Sequence, residues 1–241
     1  MTDLLFLEEP YTRSCSAMVV ELTAEGQVVF DRTIFYPTGG GQPHDLGALT
    51  DGNTIWEVSK VSKRGADVLH TLADTEVSPQ VGDTLEMQID WERRYRLMRT
   101  HTAMHVLCGV IFHEFGALVT GGNMATDKAR MDFELEDLNA ERVAHIEEMA
   151  NAAISRGLNV SWRSIPREEA FQIPDLIRTR INLLPDFITE VRVVEIEGLD
   201  TQADGGTHVR NTAEVGGLQI VGTRSKGRIN KRLEIALVDK H

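Results

Sequence analysis

Between Trp91 and Phe115, eight side chains (Trp91, Tyr95, Met98, His101, His105, Cys108, Phe112 and Phe115) recur at spacings of 4, 3, 3, 4, 3, 4 and 3. That rhythm is one stripe of an α-helix. Asp90 stands where an N-cap belongs and Gly116 where a helix stops. Leu97, Met104, Leu107 and Ile111 widen the apolar face, so the helix is expected to be well buried. No such period occurs before it. SAMVVEL (16–22), QVVF (27–30), TIWEV (54–58) and TLEMQID (84–90) are short β-rich runs. Asp51-Gly52 is a hairpin turn signal. The change of period at Asp90 divides the chain into an N-terminal β domain, 1–89, and a second domain, 90–241.

In the second domain, RMDFEL (130–135) alternates as a strand does. Val143, Ile146, Ala150 and Ala153 mark a second helix, from near Asn139 to Gly157. Pro166 opens a short helical segment over Arg167–Phe171. NVSW (159–162), EVRVVEIE (190–197), GLQIVG (217–222) and RLEIALV (232–238) read as strands. The expected class is α+β: a small barrel-like β domain, then helices packed on a mainly antiparallel sheet.

Composition removes several alternatives. At 241 residues the chain buries roughly 70% of its unfolded surface without help from disulfides. It has only Cys15 and Cys108, which excludes a disulfide framework and favours a cytoplasmic address. No apolar run approaches the ~20 residues of a membrane helix, and the first residues do not read as a signal peptide. Lys and Arg total 25 against 37 Asp and Glu, a net charge of −12. That argues against a protein that coats nucleic acid non-specifically. Local basic clusters remain: Lys60, Lys63 and Arg64; Arg93, Arg94, Arg96 and Arg99; and Arg224, Lys226, Arg228, Lys231 and Arg232. The last is the densest and is either a set of phosphate contacts or ordinary solvated charge. Nothing in the sequence marks an obligate protein partner.

Three blocks carry chemistry. In His101-Thr-Ala-Met-His105 the two imidazoles lie about 40° apart around the helix, near enough to meet one ion. Thr102 occupies the place where a zinc protease carries its general-base Glu, so this is no HExxH protease. The alternative is a pair of core histidines. Both replace apolar residues on a buried face, where uncompensated imidazoles are costly and a metal offsets the cost. Asp204-Gly-Gly-Thr-His208 adds two further ligand types, the alternative being a Gly-rich turn in which Asp204 accepts backbone bonds. Thr33-Ile-Phe-Tyr-Pro-Thr-Gly-Gly-Gly-Gln42-Pro is neither a P-loop nor a dinucleotide fingerprint. By itself it reads as a loop of the β domain, with Thr33 and Gln42 able to donate hydrogen bonds.

Taken together, TIFYPTGGGQ, HTAMH and DGGTH resemble the editing domain of alanyl-tRNA synthetase and its free-standing relatives, the AlaX-type trans-editing proteins. RMDFEL and TAEVGGLQIVGTRSKGRI are similar to the same family, and the resemblance runs from about residue 5 to 237. A β domain joined to an editing domain looks like the longer AlaX form, and no aminoacylation domain is expected in this length. The resemblance implies an aminoacyl-tRNA deacylase that acts in trans on mischarged tRNA(Ala), chiefly seryl-tRNA(Ala) and also glycyl-tRNA(Ala). It implies one zinc ion on His101, His105 and His208, with Thr33 recognising the serine hydroxyl and Gln42 close to the substrate. Arg224, Lys226 and Arg228 are the expected tRNA contacts.

One position departs from the family pattern. Where the family has a cysteine ligand, this chain has Asp204. A carboxylate binds zinc at ~2.0–2.2 Å and is harder than thiolate. Asp204 is then either the fourth ligand or an outer partner that orients a histidine. The same departure supports an alternative function, a tRNA-binding module that has lost catalysis. A third class is a metal hydrolase acting on another ester or amide.

Overall fold

The computed structural model describes residues 2–74, 77–179 and 188–239. The chain divides into two compact units, Met1–Arg96 and Leu97–His241. The first holds β1 (Asp3–Leu4), α1 (Leu5–Glu8), β2 (Ser14–Leu22), β3 (Val28–Phe30), β4 (Arg32–Thr33), β5 (Gly47–Thr50), β6 (Ile55–Arg64), β7 (Asp67–Leu72) and β8 (Thr84–Ile89). Strands β2, β3, β7, β6, β5 and β8, in that order, close into a barrel. All its neighbouring strands are antiparallel, and β1 adds a short parallel pair with β4.

Period-2 alternation fills the barrel. In β8 Leu85, Met87 and Ile89 point inward while Thr84, Glu86 and Gln88 face out. In β6 the register shifts between Val58 and Lys60, so that Val61 follows Trp56 and Val58 into the core. The extra residue of such a bulge keeps a lysine out of the interior. Strands β5 and β7 were not legible in the sequence. One has only four residues, and the other turns His70 into the core. Phe35 packs in this core as well.

The barrel unit ends within α2 (Trp91–Phe115), whose first turn it holds. Asp90 caps the helix by accepting from the Arg93 amide at 3.1 Å, and Gly116 follows it at φ 63°. Arg94 is fully buried and ion-pairs with Asp45, which accepts the Tyr36 amide at 2.6 Å. Its remaining N–H groups reach the carbonyls of Pro10 and Ile34. Arg93 donates to the His44 carbonyl, and Arg99 to Val215 and Asp239. Three of the four arginines that read as a basic cluster are therefore structural.

The second unit adds β9 (Val119–Met124), β10 (Lys128–Phe133), α3 (Ala140–Ser155), β11 (Val160–Pro166), α4 (Arg167–Ala170), β12 (Glu190–Ile196), β13 (Asp200–Ala203), β14 (Gly217–Gly227) and β15 (Asn230–Val238). They form two antiparallel sheets, ordered β14-β15-β10-β9 and β11-β12-β13. Residues 100–111 of α2 are buried at every position, so the apolar stripe belongs to a helix buried on all sides. Asn139 caps α3 through the Arg142 amide. Asn151 and Glu147 of α3 then bond the backbone of Leu218 and Ile220, pairing the outer edge of β14. No helix among the described residues is long and apolar enough to cross a membrane.

The buried pair gives a test. Arg94→Met strands Asp45 as an uncompensated buried charge, which is expected to cost ~3–5 kcal/mol. Urea unfolding should show this as a lower midpoint, and an unmoved midpoint would contradict it.

Candidate metal centre

One helical turn separates His101 from His105, so their rings share a side of α2, with centroids 5.2 Å apart. The turn after β13 brings the other two groups. His208 stacks 4.3 Å from His101 and stands edge-on, 4.6 Å from His105. Asp204 places Oδ2 2.9 Å from His208 Nε2 and Oδ1 3.6 Å from His101 Nε2. One ligand atom from each of the four lies within 4.8 Å of all the others. The three imidazoles are buried, and Asp204 is nearly so.

The turn is fastened from several sides. Asp204 Oδ2 accepts the Gly206 amide at 2.7 Å, an Asx turn. Arg192 of β12 donates to the carbonyls of Asp204 and Gly206. Thr102 of α2 accepts the Val209 amide at 3.2 Å, and its hydroxyl contacts His208 Nδ1 at the same distance. Thus Thr102, where a protease would carry a base, anchors the turn to the helix. His105 Nδ1 lies 3.1 Å from Asp200 Oδ2, and His101 bonds the Thr207 backbone. With their Nδ1 atoms occupied, His105 and His208 keep Nε2 for the cluster.

Burial pulls His101 down to about 4 against the opposing pull of Asp204. Burial and its imidazole neighbours likewise hold His208 well below the usual range. For His105 the bond and charge of Asp200 outweigh burial, and the ring is raised. Burial alone would raise Asp204, but the three imidazoles bring it well below the usual carboxylate range. The neutral imidazoles of His101 and His208 beside an ionised carboxylate are protonation states that a divalent ion requires, and His105, held through Nδ1 by Asp200, would give up its Nε2 proton to the ion. The donor set therefore fits such an ion.

Thr33 and Gln42 belong to the barrel unit. Thr33 is fully buried: its Oγ1 lies 2.9 Å from His70 Nε2 and accepts the Phe35 amide at 3.0 Å. His70 Nδ1 faces the Val28 carbonyl, which can only accept, so His70 Nε2 takes the Thr33 hydroxyl proton. His70 itself is depressed to about 4 by burial. Gln42 is buried and closes a two-residue turn with Gly39, through Gly40 and Gly41 at φ 56° and 87°. Two positive φ values in succession fit glycine at both positions.

Arg224, Lys226 and Arg228 are exposed along β14 and its turn. Lys226 is paired with Asp132 at 3.1 Å, as is Arg232 at 2.6 Å, while Lys231 folds back on the carbonyls of Gly227 and Arg228. Arg224 and Arg228 thus carry the outward charge of this cluster. Sequence reasoning missed Asp200, Gln202 and Arg178 behind His105. The only signal was a second acid four residues before Asp204.

Known proteins resemble the chain over nearly its whole length. Residues 11–93 match the family described as tRNA synthetases class II (A), and residues 191–234 match the threonyl and alanyl tRNA synthetase second additional domain. The chain is 38% identical to the alanyl-tRNA editing protein AlaX-M of Methanosarcina acetivorans, over 99% of this chain and 100% of that one. It is 40% identical to AlaX-M of Methanosarcina barkeri over the same shares. It is also 40% identical to the alanine–tRNA ligase of Staphylothermus marinus, over 91% of this chain but 24% of the ligase.

A metal centre makes a direct demand on His208. With zinc as the probe, competition against a chelator should give one ion per chain. His208→Ala should weaken binding by more than the ~100-fold reached by outer-partner changes. Equal affinity in the variant would remove His208 from the ligand set.

Proposed function

This chain belongs to the AlaX-M family of alanyl-tRNA editing proteins, and on that premise we propose that it hydrolyses the ester of mischarged tRNA(Ala) with the help of one zinc ion. Seryl-tRNA(Ala) is the chief substrate and glycyl-tRNA(Ala) a second. The observation that carries the reading is the convergence of His101, His105, Asp204 and His208 from two distant segments. Loss of catalysis is the weaker alternative, because the position that departs from the family still contributes a donor atom to the cluster.

Asp204 ligates directly in this account. An outer partner would sit behind an imidazole, on Nδ1. Asp204 instead approaches the Nε2 atoms, and Thr102 and Asp200 hold the Nδ1 atoms of His208 and His105. Ester hydrolysis needs a nucleophilic water and a stabilised oxyanion. Zinc, when bound, supplies the Lewis acidity for both. One carboxylate among three neutral imidazoles carries a single negative charge, so a bound divalent ion would leave the site net positive, which would suit a developing oxyanion. Thr102 and Arg192 keep the ligands in place by fixing the Asp204–His208 turn. Arg224 and Arg228 are the proposed phosphate contacts, and so few would permit rapid product release.

The first assay is deacylation. The purified protein should hydrolyse seryl-tRNA(Ala), spare alanyl-tRNA(Ala), stop on chelation and recover with zinc. An intact seryl ester after incubation with folded, zinc-loaded protein would refute the proposal. Thr33→Val then tests where serine is recognised. Because the Thr33 hydroxyl serves His70 and Phe35, the expected result is a loss of ~1–3 kcal/mol in stability. Seryl and glycyl hydrolysis should fall together. Selective loss of seryl hydrolysis at unchanged stability would instead place the discrimination on Thr33.

A further inference from the structure

We propose that Asp200 is a positioning residue of the metal centre, which holds His105 so that Nε2 faces the ion, with Arg178 as its buried counter-charge. The inference rests on the metal-centre reading above.

The geometry begins with a glycine. A Cβ at Gly109 would meet the Leu199 carbonyl at 2.7 Å and Asp200 Cβ at 3.1 Å. Only glycine lets the start of β13 come this close to α2, one turn beyond His105. Asp200 is buried there, and its Oδ2 reaches His105 Nδ1 at 3.1 Å. Gln202 Nε2 donates to the same oxygen at 2.6 Å and lies 3.4 Å from His105 Nδ1. These contacts decide the tautomer. A carboxylate oxygen can only accept, so Nδ1 carries the proton. The longer Gln202 approach to Nδ1 is then no hydrogen bond, and the lone pair of Nε2 is left for the cluster.

Arg178 completes the arrangement. It is buried and stacks over Phe112, with its guanidinium carbon 3.5 Å from the ring centroid. Its Nε lies 3.5 Å from Asp200 Oδ1. Arg178 Nε and Nη1 and Asp200 Oδ1 have no hydrogen-bond partner among the described residues. A buried charge of each sign, facing the other and short of a full hydrogen bond, is unfavourable unless it serves something else. The other Asp200 oxygen, spent on His105 and Gln202, identifies that service. A carboxylate behind a ligating histidine raises its basicity and fixes its ring.

The experiment uses the full chain with zinc and cobalt(II) as probes. Asp200→Asn keeps the shape and removes the charge. It should weaken zinc binding ~10–100-fold in a chelator competition. The visible spectrum of the cobalt form should shift, while the melting temperature of the metal-free protein should fall because Arg178 loses its buried counter-charge. Unchanged zinc affinity and cobalt spectrum would overturn the inference. If Asp200→Asn does not fold, Gln202→Leu removes one bond to the same oxygen. It should weaken zinc binding by a smaller factor, and unchanged affinity there also overturns it. Failure of the parent protein to bind zinc would refute the metal-centre reading itself, an outcome distinct from a parent and variant that bind equally.

Discussion

Three imidazoles and a carboxylate gathered within 4.8 Å, away from bulk water, must each be engaged or the fold cannot hold them. The second unit is arranged around that demand. His101 and His105 lie on α2 where it is buried on every side. The Asp204–His208 turn docks on it through Thr102 and is held from β12 by Arg192. Asp200 at the start of β13 reaches the same helix because Gly109 leaves room for it. Each ligand is therefore placed by an element whose backbone is fixed elsewhere in the sheet or the helix, as a preorganised site requires.

The barrel solves a comparable problem. Arg94 and Asp45 are buried with their polar atoms engaged by one another and by backbone. His70 and Thr33 form a second internal pair, between the edges of Phe30 and Phe35. Neither pair is visible as amphipathic patterning: His70 interrupts the alternation that marks a strand, and Arg94 stands among the charged residues of a helix's first turns.

That distinction separates what could be read in the sequence from what could not. The long helix, its Asp90 cap and its Gly116 stop were legible because 3.6-residue periodicity and capping are local properties. The fold class followed from the change of period at residue 90. Strands β5 and β7 were hidden, one by its length and the other by His70. The cluster residues His101, His105, Asp204 and His208 could be named because each pair stands within one short block. Asp200 and Arg178 could not, since their significance depends on β13 meeting α2 at Gly109. The arginines at the start of α2 looked like a surface basic cluster, because composition does not reveal that Arg94 points inward.

The central claim is that Asp204, standing where the family has cysteine, is the fourth ligand of a single zinc ion. The most direct measurement is anomalous scattering at the zinc edge from crystals of the zinc-loaded protein. The account predicts one peak at ~2.0–2.2 Å from the three histidine Nε2 atoms and from one Asp204 oxygen. A peak on the three histidines with both Asp204 oxygens beyond bonding distance, or no peak between them, would contradict it.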